Sequence, residues 1–386
     1  MNEINHLTIS SSSSVLRPTQ VEVNLSRLRQ NFCRIRDAVA PAKMMPILKA
    51  NAYGHGLVRV AGLMQELKAD YIGVAVLEEG LLLRESGITM PILIMGGVFG
   101  NQIPYFIQND LTITASSVAK LKNIDEAARD MRKKAKVHLK IDTGMERIGV
   151  HYYNAEEFIR CSLDCSCVEV EGIYTHFANA DAADLSYTIL QLDRFKHVLS
   201  HYERLNTERP PLIHAANSGA ILQASDSFFN MVRPGILLYG VYPSADVRRT
   251  IAVQPALTWK SRVVYFKVIL PDHPVGYGST WQSNTPVRAV TVPVGYGDGY
   301  LRSMSQYARV IIRGKQYPVI GSISMDQIVV NIDNDSAFNN DEVILVGESE
   351  GTLITVEDLA EWAKTIPYEI LTNINTRVPR TYSETD

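Results

Sequence analysis

An α/β chain built as a (β/α)8 TIM-type barrel followed by a mostly-β C-terminal domain is the architecture this sequence predicts. Three observations predict it. From about residue 20 to residue 239, short apolar, β-branched runs alternate with longer amphipathic stretches. Eight such runs fall within about 220 residues. After Pro255 the alternation stops, and strand-like runs follow one another across turn signals.

The eight candidate strands are residues 44–50, 71–76, 91–95, 111–114, 136–142, 168–176, 211–215 and 230–232. Helical patterns lie between them. Residues 118–134 and 185–205, for example, carry apolar positions at three- and four-residue spacing. Strands that alternate with helices read as parallel βαβ units, and eight units suit a closed barrel. Spacing alone leaves an open doubly wound sheet as the competing arrangement. In the second region, residues 258–269, 288–293, 308–313, 317–322, 328–332 and 342–346 are strand-like, with turns at Arg313-Gly314-Lys315 and Asp333-Asn334. Residues 355–365 alone look helical there, with Thr355 as N-cap and Asp358 at the capping-box position. The expected division is a disordered tail over 1–19, which contains the serine run Ser10–Ser14, a barrel over 20–249 and a β domain over 250–386.

Composition narrows the function. A chain of 386 residues exceeds one ordinary domain. Its 46% hydrophobic and 20% charged residues describe a globular protein, and a formal charge of -3 gives no reason to expect a nucleic-acid or membrane surface. No apolar stretch approaches ~18 residues, and no signal-peptide pattern opens the chain, so a cytoplasmic enzyme is expected. Cys33, Cys161, Cys165 and Cys167 are too few for a disulfide scaffold. The last three lack a second Cys/His pair at zinc-like spacing, so free thiols and no metal are expected.

Lys49 is the chief candidate for chemistry. It closes the apolar run 44–48 and opens into Ala50-Asn51-Ala52-Tyr53-Gly54-His55-Gly56. Burial disfavours an ammonium, lowers its pKa and leaves an amine able to act as nucleophile or base. The plainer alternative is a lysine reaching solvent from a strand end. Barrel chemistry gathers at the C-terminal ends of strands. Lys49, Lys140-Ile141-Asp142, His176 and Asn217-Ser218 all fall at such ends, so one pocket should hold them.

Ten segments then carry a resemblance. They are LKANAYGHG at 48–56, HLKIDTGMERIG at 138–149, THFANAD at 175–181, HAANSGA at 214–220, VRPGILLYG at 232–240, VGYGST at 275–280, VGYGDGY at 294–300, SMDQ at 324–327, PYEIL at 367–371 and RVPR at 377–380. In this order they resemble the alanine racemases, from Val21 to about Tyr382. The resemblance implies the barrel and β-domain fold, pyridoxal 5'-phosphate as cofactor, a small amino-acid substrate and a homodimer with shared active sites. It implies Lys49 as the cofactor lysine and one proton-transfer group, and Tyr277 as the group on the opposite face. His176 and Arg233 would support the tyrosine, because a phenol with a pKa near ~10 is otherwise a poor base. Arg233 would also face the cofactor ring nitrogen, which a guanidinium cannot protonate.

The resemblance places Tyr53, Ser218, the Gly235 and Ile236 N–H groups and Tyr368 around the cofactor phosphate, with Asn217 and His176 also against the cofactor. It places Arg147 and the Met325 N–H at the substrate carboxylate and Asp326 in the substrate site, with Lys140 as a carbamylated lysine that orients Arg147. Asp181, Arg302, Ser322 and Ile366 match a substrate channel. Two positions depart from the family pattern: Ser322 stands where arginine is usual, and Ser324 where cysteine is usual. A racemase of the same fold with broader or serine specificity is the near alternative. A barrel-type decarboxylase would need an acid in place of Arg233, and a non-catalytic cofactor carrier would lack the β domain.

Overall fold

The computed structural model describes residues 16–385. They form two compact units. One comprises residues 24–256, 366–372 and 382–385; the other comprises residues 16–23, 257–365 and 373–381.

The first unit is the barrel. Its strands are β1 (Lys43–Met44), β2 (Ile72–Val74), β3 (Ile92–Ile94), β4 (Thr112–Ala115), β5 (Ala135–Asp142), β6 (Val168–Tyr174), β7 (Leu212–His214) and β8 (Met231–Val232). From β2 to β8 each pairs in parallel with the next, and β8 returns to β1. A parallel bridge from Ile47 to Gly73 closes the ring. All eight expected runs are therefore barrel strands, and the open sheet is excluded. Every residue of β2, β3 and β4 is buried, as expected where helices cover one face and the barrel core the other. The expected helices are present as Val118–Asp130 and Ser186–Arg204. The first run is shorter than the expected 44–50, because the chain turns out of the sheet at Lys49.

The second unit is an antiparallel sheet. Its strands run Tyr265–Ile269, Val287–Val292, Ile328–Asn331, Lys315–Ile320, Arg309–Ile312, Glu342–Ser349, Leu257–Arg262 and Gln20–Asn24 in spatial order. The run expected as one strand over 258–269 is two strands. Leu257–Arg262 pairs with Glu342–Ser349, whereas Tyr265–Ile269 pairs with Val287–Val292. Thr355 caps helix Val356–Ala363, and Asp358 answers it by accepting the Thr355 N–H at 2.7 Å. A capping box with Asp in place of Glu or Gln thus forms.

Three boundaries differ from expectation. Residues 20–23, expected to open the barrel, pair antiparallel with Leu257–Arg262. Val21 and Val23 are buried while their neighbours are half-exposed, the alternation of a one-faced sheet rather than of a barrel strand. Thr19, expected in a disordered tail, is buried and shares a 2.9 Å hydrogen bond with Ser261. The rest of that expected tail, through residue 15, lies outside the described residues. Residues 250–256 and 366–372 group with the barrel: Asn31 exchanges hydrogen bonds with the Gln254 backbone, and helix Pro367–Asn373 carries Tyr368. Among the described residues, no helix is long and apolar enough to cross a membrane.

Candidate active site

A cavity of about 420 Å³ opens at the C-terminal ends of the barrel strands. Lys49, Tyr53, Lys140, Arg147, His176, Asn217, Ser218, Arg233, Gly235, Ile236 and Tyr368 all line it. The four strand-end sites expected to share a pocket do share one.

Lys49 reaches the cavity through an unusual turn. Ala50, Asn51, Ala52 and Tyr53 have φ of 53°, 55°, 53° and 51°, followed by Gly54 at 79°. Left-handed backbone costs an L-residue roughly 1–2 kcal/mol, so four in succession need outside support. Internal bonds supply part of it: Ala52 N–H donates to Leu48 O at 2.7 Å, and Gly54 N–H to Ala50 O at 3.1 Å. The Asn51 carboxamide also accepts the Leu57 N–H at 2.9 Å. Lys49 stays accessible because the cavity is open. The surrounding protein still desolvates it, and this burial, with the charge of Arg147, lowers its pKa against the opposing pull of Glu79.

Arg233 forms the floor and is 2% exposed. Its Nη1 donates to His214 Nδ1 at 2.8 Å. Its Nη2 donates to Thr175 O at 2.8 Å, Ala215 O at 2.9 Å and His176 Nδ1 at 3.2 Å. Both histidines accept at Nδ1, so their protons sit on Nε2. His214 Nε2 then donates to His138 Nδ1 at 2.9 Å. Burial and the Arg233 charge lower all three imidazole pKa values, that of His138 to about 3. The Tyr174 ring stacks on His214, 4.7 Å between centroids, and Lys140 Nζ lies 4.3 Å from the Tyr174 centroid. Lys140 is buried, and desolvation together with Arg233 and Arg147 pulls its pKa well below the ordinary lysine value.

Asp142 shapes the adjoining wall. Its Oδ1 accepts the N–H groups of Gly144 at 2.8 Å, Met145 at 2.9 Å and Glu146 at 3.2 Å, and its Oδ2 accepts that of Arg147 at 3.1 Å. Burial raises the carboxyl pKa, but the four donors outweigh it and hold the group below its ordinary range. The loop bearing Arg147 is thereby folded onto the end of β5.

The opposite end of the cavity is neutral and rich in hydroxyls. Asn217 caps helix Ser218–Gln223 by accepting the Ala220 N–H at 3.1 Å. Ser218 Oγ accepts the N–H groups of Gly235 at 2.9 Å and Leu237 at 3.3 Å, so the Gly235 N–H meets a side chain here. Burial raises the phenol pKa values of Tyr53 and Tyr368, whose ring centroids lie 6.1 Å apart. A Cβ on Gly235 would stand 2.8 Å from Tyr53 Oη; glycine keeps this end open.

The remaining expected residues lie elsewhere. Asp181 and Ile366 belong to the barrel unit but do not line the cavity; the Asp181 carbonyl accepts the Ser244 hydroxyl. Tyr277, Arg302, Ser322, Met325 and Asp326 belong to the β unit. Tyr277 is 71% exposed, and its carbonyl accepts the Ser322 hydroxyl at 2.9 Å. Asp326 pairs with Arg377 at 2.9 Å. Sequence reasoning missed Glu79, Tyr174, His138 and His214. The signal for His138 and His214 was a histidine inside an apolar strand run.

A parallel barrel that presents a lysine in a basic cavity, joined in sequence to a β unit with an exposed tyrosine turn, defines a class of two-unit barrel enzymes. Comparison identifies the family. Residues 23–243 match the model of the alanine racemase N-terminal domain, and residues 256–382 that of the alanine racemase C-terminal domain. The chain is 42% identical over 369 residues to the alanine racemase of Carboxydothermus hydrogenoformans, covering 95% of this chain and 100% of the relative. It is 41% identical over 370 residues to alanine racemase 2 of Caldanaerobacter subterraneus subsp. tengcongensis, covering 95% of each. The structure superposes on the alanine racemase of Clostridium difficile 630 with a TM-score of 0.90 at 38% identity, covering 96% of this chain and 97% of that one. The chain belongs to the alanine racemase family.

The Asp142 geometry gives a first prediction. Its carboxylate is held below the ordinary range near ~3.9, so its contribution is complete above that range and is lost as pH falls through the lowered value. Asp142→Asn should speed amide exchange at residues 144–147 at neutral pH. In the unsubstituted protein these amides should keep their protection until pH drops below about 4. Equal exchange in both proteins would show that the carboxylate does not hold the loop.

Proposed function

We propose that this chain interconverts L-alanine and D-alanine with pyridoxal 5'-phosphate as cofactor. One observation carries the reading: a single cavity joins a lysine of lowered pKa, Lys49, to a buried arginine, Arg233, and to a hydroxyl-lined end at Tyr53, Ser218 and Tyr368. The donor set fits the group, since cations and neutral hydroxyls suit a phosphate ester and a neutral amine suits its aldehyde. When bound, the cofactor supplies an electron sink at the substrate α-carbon.

Lys49 Nζ would hold the cofactor covalently. Displaced by substrate, the amine would take or return the α-proton on one face. Tyr277 Oη would do the same on the other. Its phenolate needs a donor, and His176 has one: Nδ1 accepts from Arg233, which leaves Nε2–H free to point outward. Arg233 would face the ring nitrogen without surrendering a proton, which weakens electron withdrawal and limits side reactions. Ser218 accepts the Gly235 and Leu237 N–H groups, so its own hydrogen is left for the phosphate, beside Tyr53, Tyr368 and the Ile236 N–H; Gly235 would keep the approach open and Asn217 would cap the helix.

Arg147 and the Met325 N–H would bind the substrate carboxylate, with Asp326 beside them in the substrate site. Lys140 is neutral enough to attack carbon dioxide; the new N–C bond forms as the amine releases a proton, and the resulting carboxylate would orient Arg147. Asp181, Arg302, Ser322 and Ile366 would line the approach. Tyr368 in the cavity wall supports a small side chain. We also infer a homodimer, in which Tyr277 of one subunit completes the cavity of the other.

Lys49→Ala should abolish racemisation, measured by a D-amino-acid-coupled assay, and remove the visible absorbance of bound cofactor. Borohydride trapping of the cofactor on another lysine would sink the assignment. Protein equilibrated with 13C-labelled bicarbonate should show a carbamate carbon by NMR that disappears in Lys140→Ala; a spectrum without that signal argues for a free amine. Mixing inactive Lys49→Ala with inactive Tyr277→Phe should restore activity through one competent site per heterodimer. If subunits demonstrably exchange and no activity returns, the shared site is wrong.

A further inference from the structure

We infer that Glu79 is a positioning residue for Lys49, pinning the left-handed turn that delivers the lysine to the cavity. The inference rests on the catalytic reading of Lys49 given above.

Glu79 is the third residue of helix Leu77–Glu85. One carboxylate oxygen does ordinary capping work. Oε2 accepts the N–H groups of Ala75 at 2.8 Å and Val76 at 3.4 Å, just ahead of the helix. The other oxygen leaves the helix. Oε1 accepts the Ala50 N–H at 2.6 Å, and Ala50 directly follows Lys49. Ala50 is also the first of the four left-handed residues. The turn closes on itself through the Ala52 and Gly54 N–H groups, which leaves the Ala50 N–H as its leading donor, unsatisfied by the turn itself. Glu79 supplies that acceptor from outside.

The geometry joins two strand ends. Leu48 N–H donates to Gly73 O at 2.8 Å, and Gly73 N–H to Pro46 O at 2.9 Å, so the two chain segments already run side by side. Beyond that point each leaves the sheet, one at Lys49 and one at Ala75. A single carboxylate then ties both departures together. A shorter or apolar side chain at this position would cap neither strand end in the same way.

Charge supports the same role. The charged groups that act on the Lys49 amine are Arg147, from the loop after β5, and Glu79 itself. His176 also faces the amine, and burial with the Arg233 charge lowers its pKa. Glu79 favours the ammonium and Arg147 opposes it. Removing the Glu79 charge therefore moves the Lys49 pKa further down.

The test uses the holoenzyme carrying Glu79→Gln, which keeps one acceptor but no charge, and Glu79→Ala, which keeps neither. Amide exchange at residues 50–54 should quicken at least tenfold in Glu79→Ala and less in Glu79→Gln. In Glu79→Gln kcat should fall on the order of tenfold with KM little changed, because the misplaced amine affects proton transfer more than binding. The acid limb of its kcat profile, which reports groups in the substrate complex, should move to lower pH. Wild-type kcat and an unmoved acid limb in Glu79→Gln would overturn the inference. So would a lowered melting temperature with unchanged kcat per folded protein, which would make Glu79 a helix cap only. Should Glu79→Ala fail to fold, Glu79→Gln decides alone. Racemisation surviving in Lys49→Ala would instead overturn the reading of Lys49 and leave the turn geometry of Glu79 standing.

Discussion

A buried guanidinium with no carboxylate beside it governs the centre of the barrel. Among the described residues, no acid forms an ion pair with Arg233; two carbonyls and two imidazoles receive its Nη hydrogens instead. A lone buried cation is tolerable where acceptors surround it, and these four gather around its Nη1 and Nη2 groups. The uncompensated charge then acts on everything nearby. It disfavours a proton on His138, His176 and His214 and an ammonium at Lys140. Burial first, and this one positive group second, thus pull these amines and imidazoles toward their uncharged forms.

The carboxylates closest to this centre do not cancel it. Asp142 and Glu79 both turn their oxygens toward backbone N–H groups, four in one case and three in the other. Each acts as a local fastener: Asp142 folds the Arg147 loop, and Glu79 holds the departure of the chain after Lys49. Peptide N–H groups, and not Arg233, are the hydrogen-bond partners of both carboxylates. The geometry and the electrostatic character of the cavity are therefore set by the same small group of side chains.

Much of this was legible in the sequence. Parallel strands buried on both faces leave continuous apolar runs, so all eight barrel strands could be found by composition. Polar residues at the ends of those runs marked Lys49, Lys140, His176 and Ser218. The misreadings have physical causes. Gln20–Asn24 is a short alternating strand whose partner lies more than two hundred residues later, a long-range pairing that local pattern cannot carry. The 258–269 run hides a change of partner because Val263 and Val264 are as strand-like as their neighbours. Glu79 looked like any acid in the first turn of a helix, since its second oxygen serves a residue twenty-nine positions earlier. The left-handed turn was also hidden, because Ala and Tyr do not announce positive φ and a single Asn does not mark a run of four.

The row of rings beneath Arg233 has a direction. The guanidinium donates to His214, His214 donates to His138, and the remaining hydrogen of His138, on Nε2, is buried without a hydrogen-bond acceptor. A proton entering from the cavity side would have to displace the arginine from His214 Nδ1. One leaving at the far end would find no base to receive it. The row is therefore an insulator: a proton at the cavity floor finds no onward path through these rings to a base beyond His138.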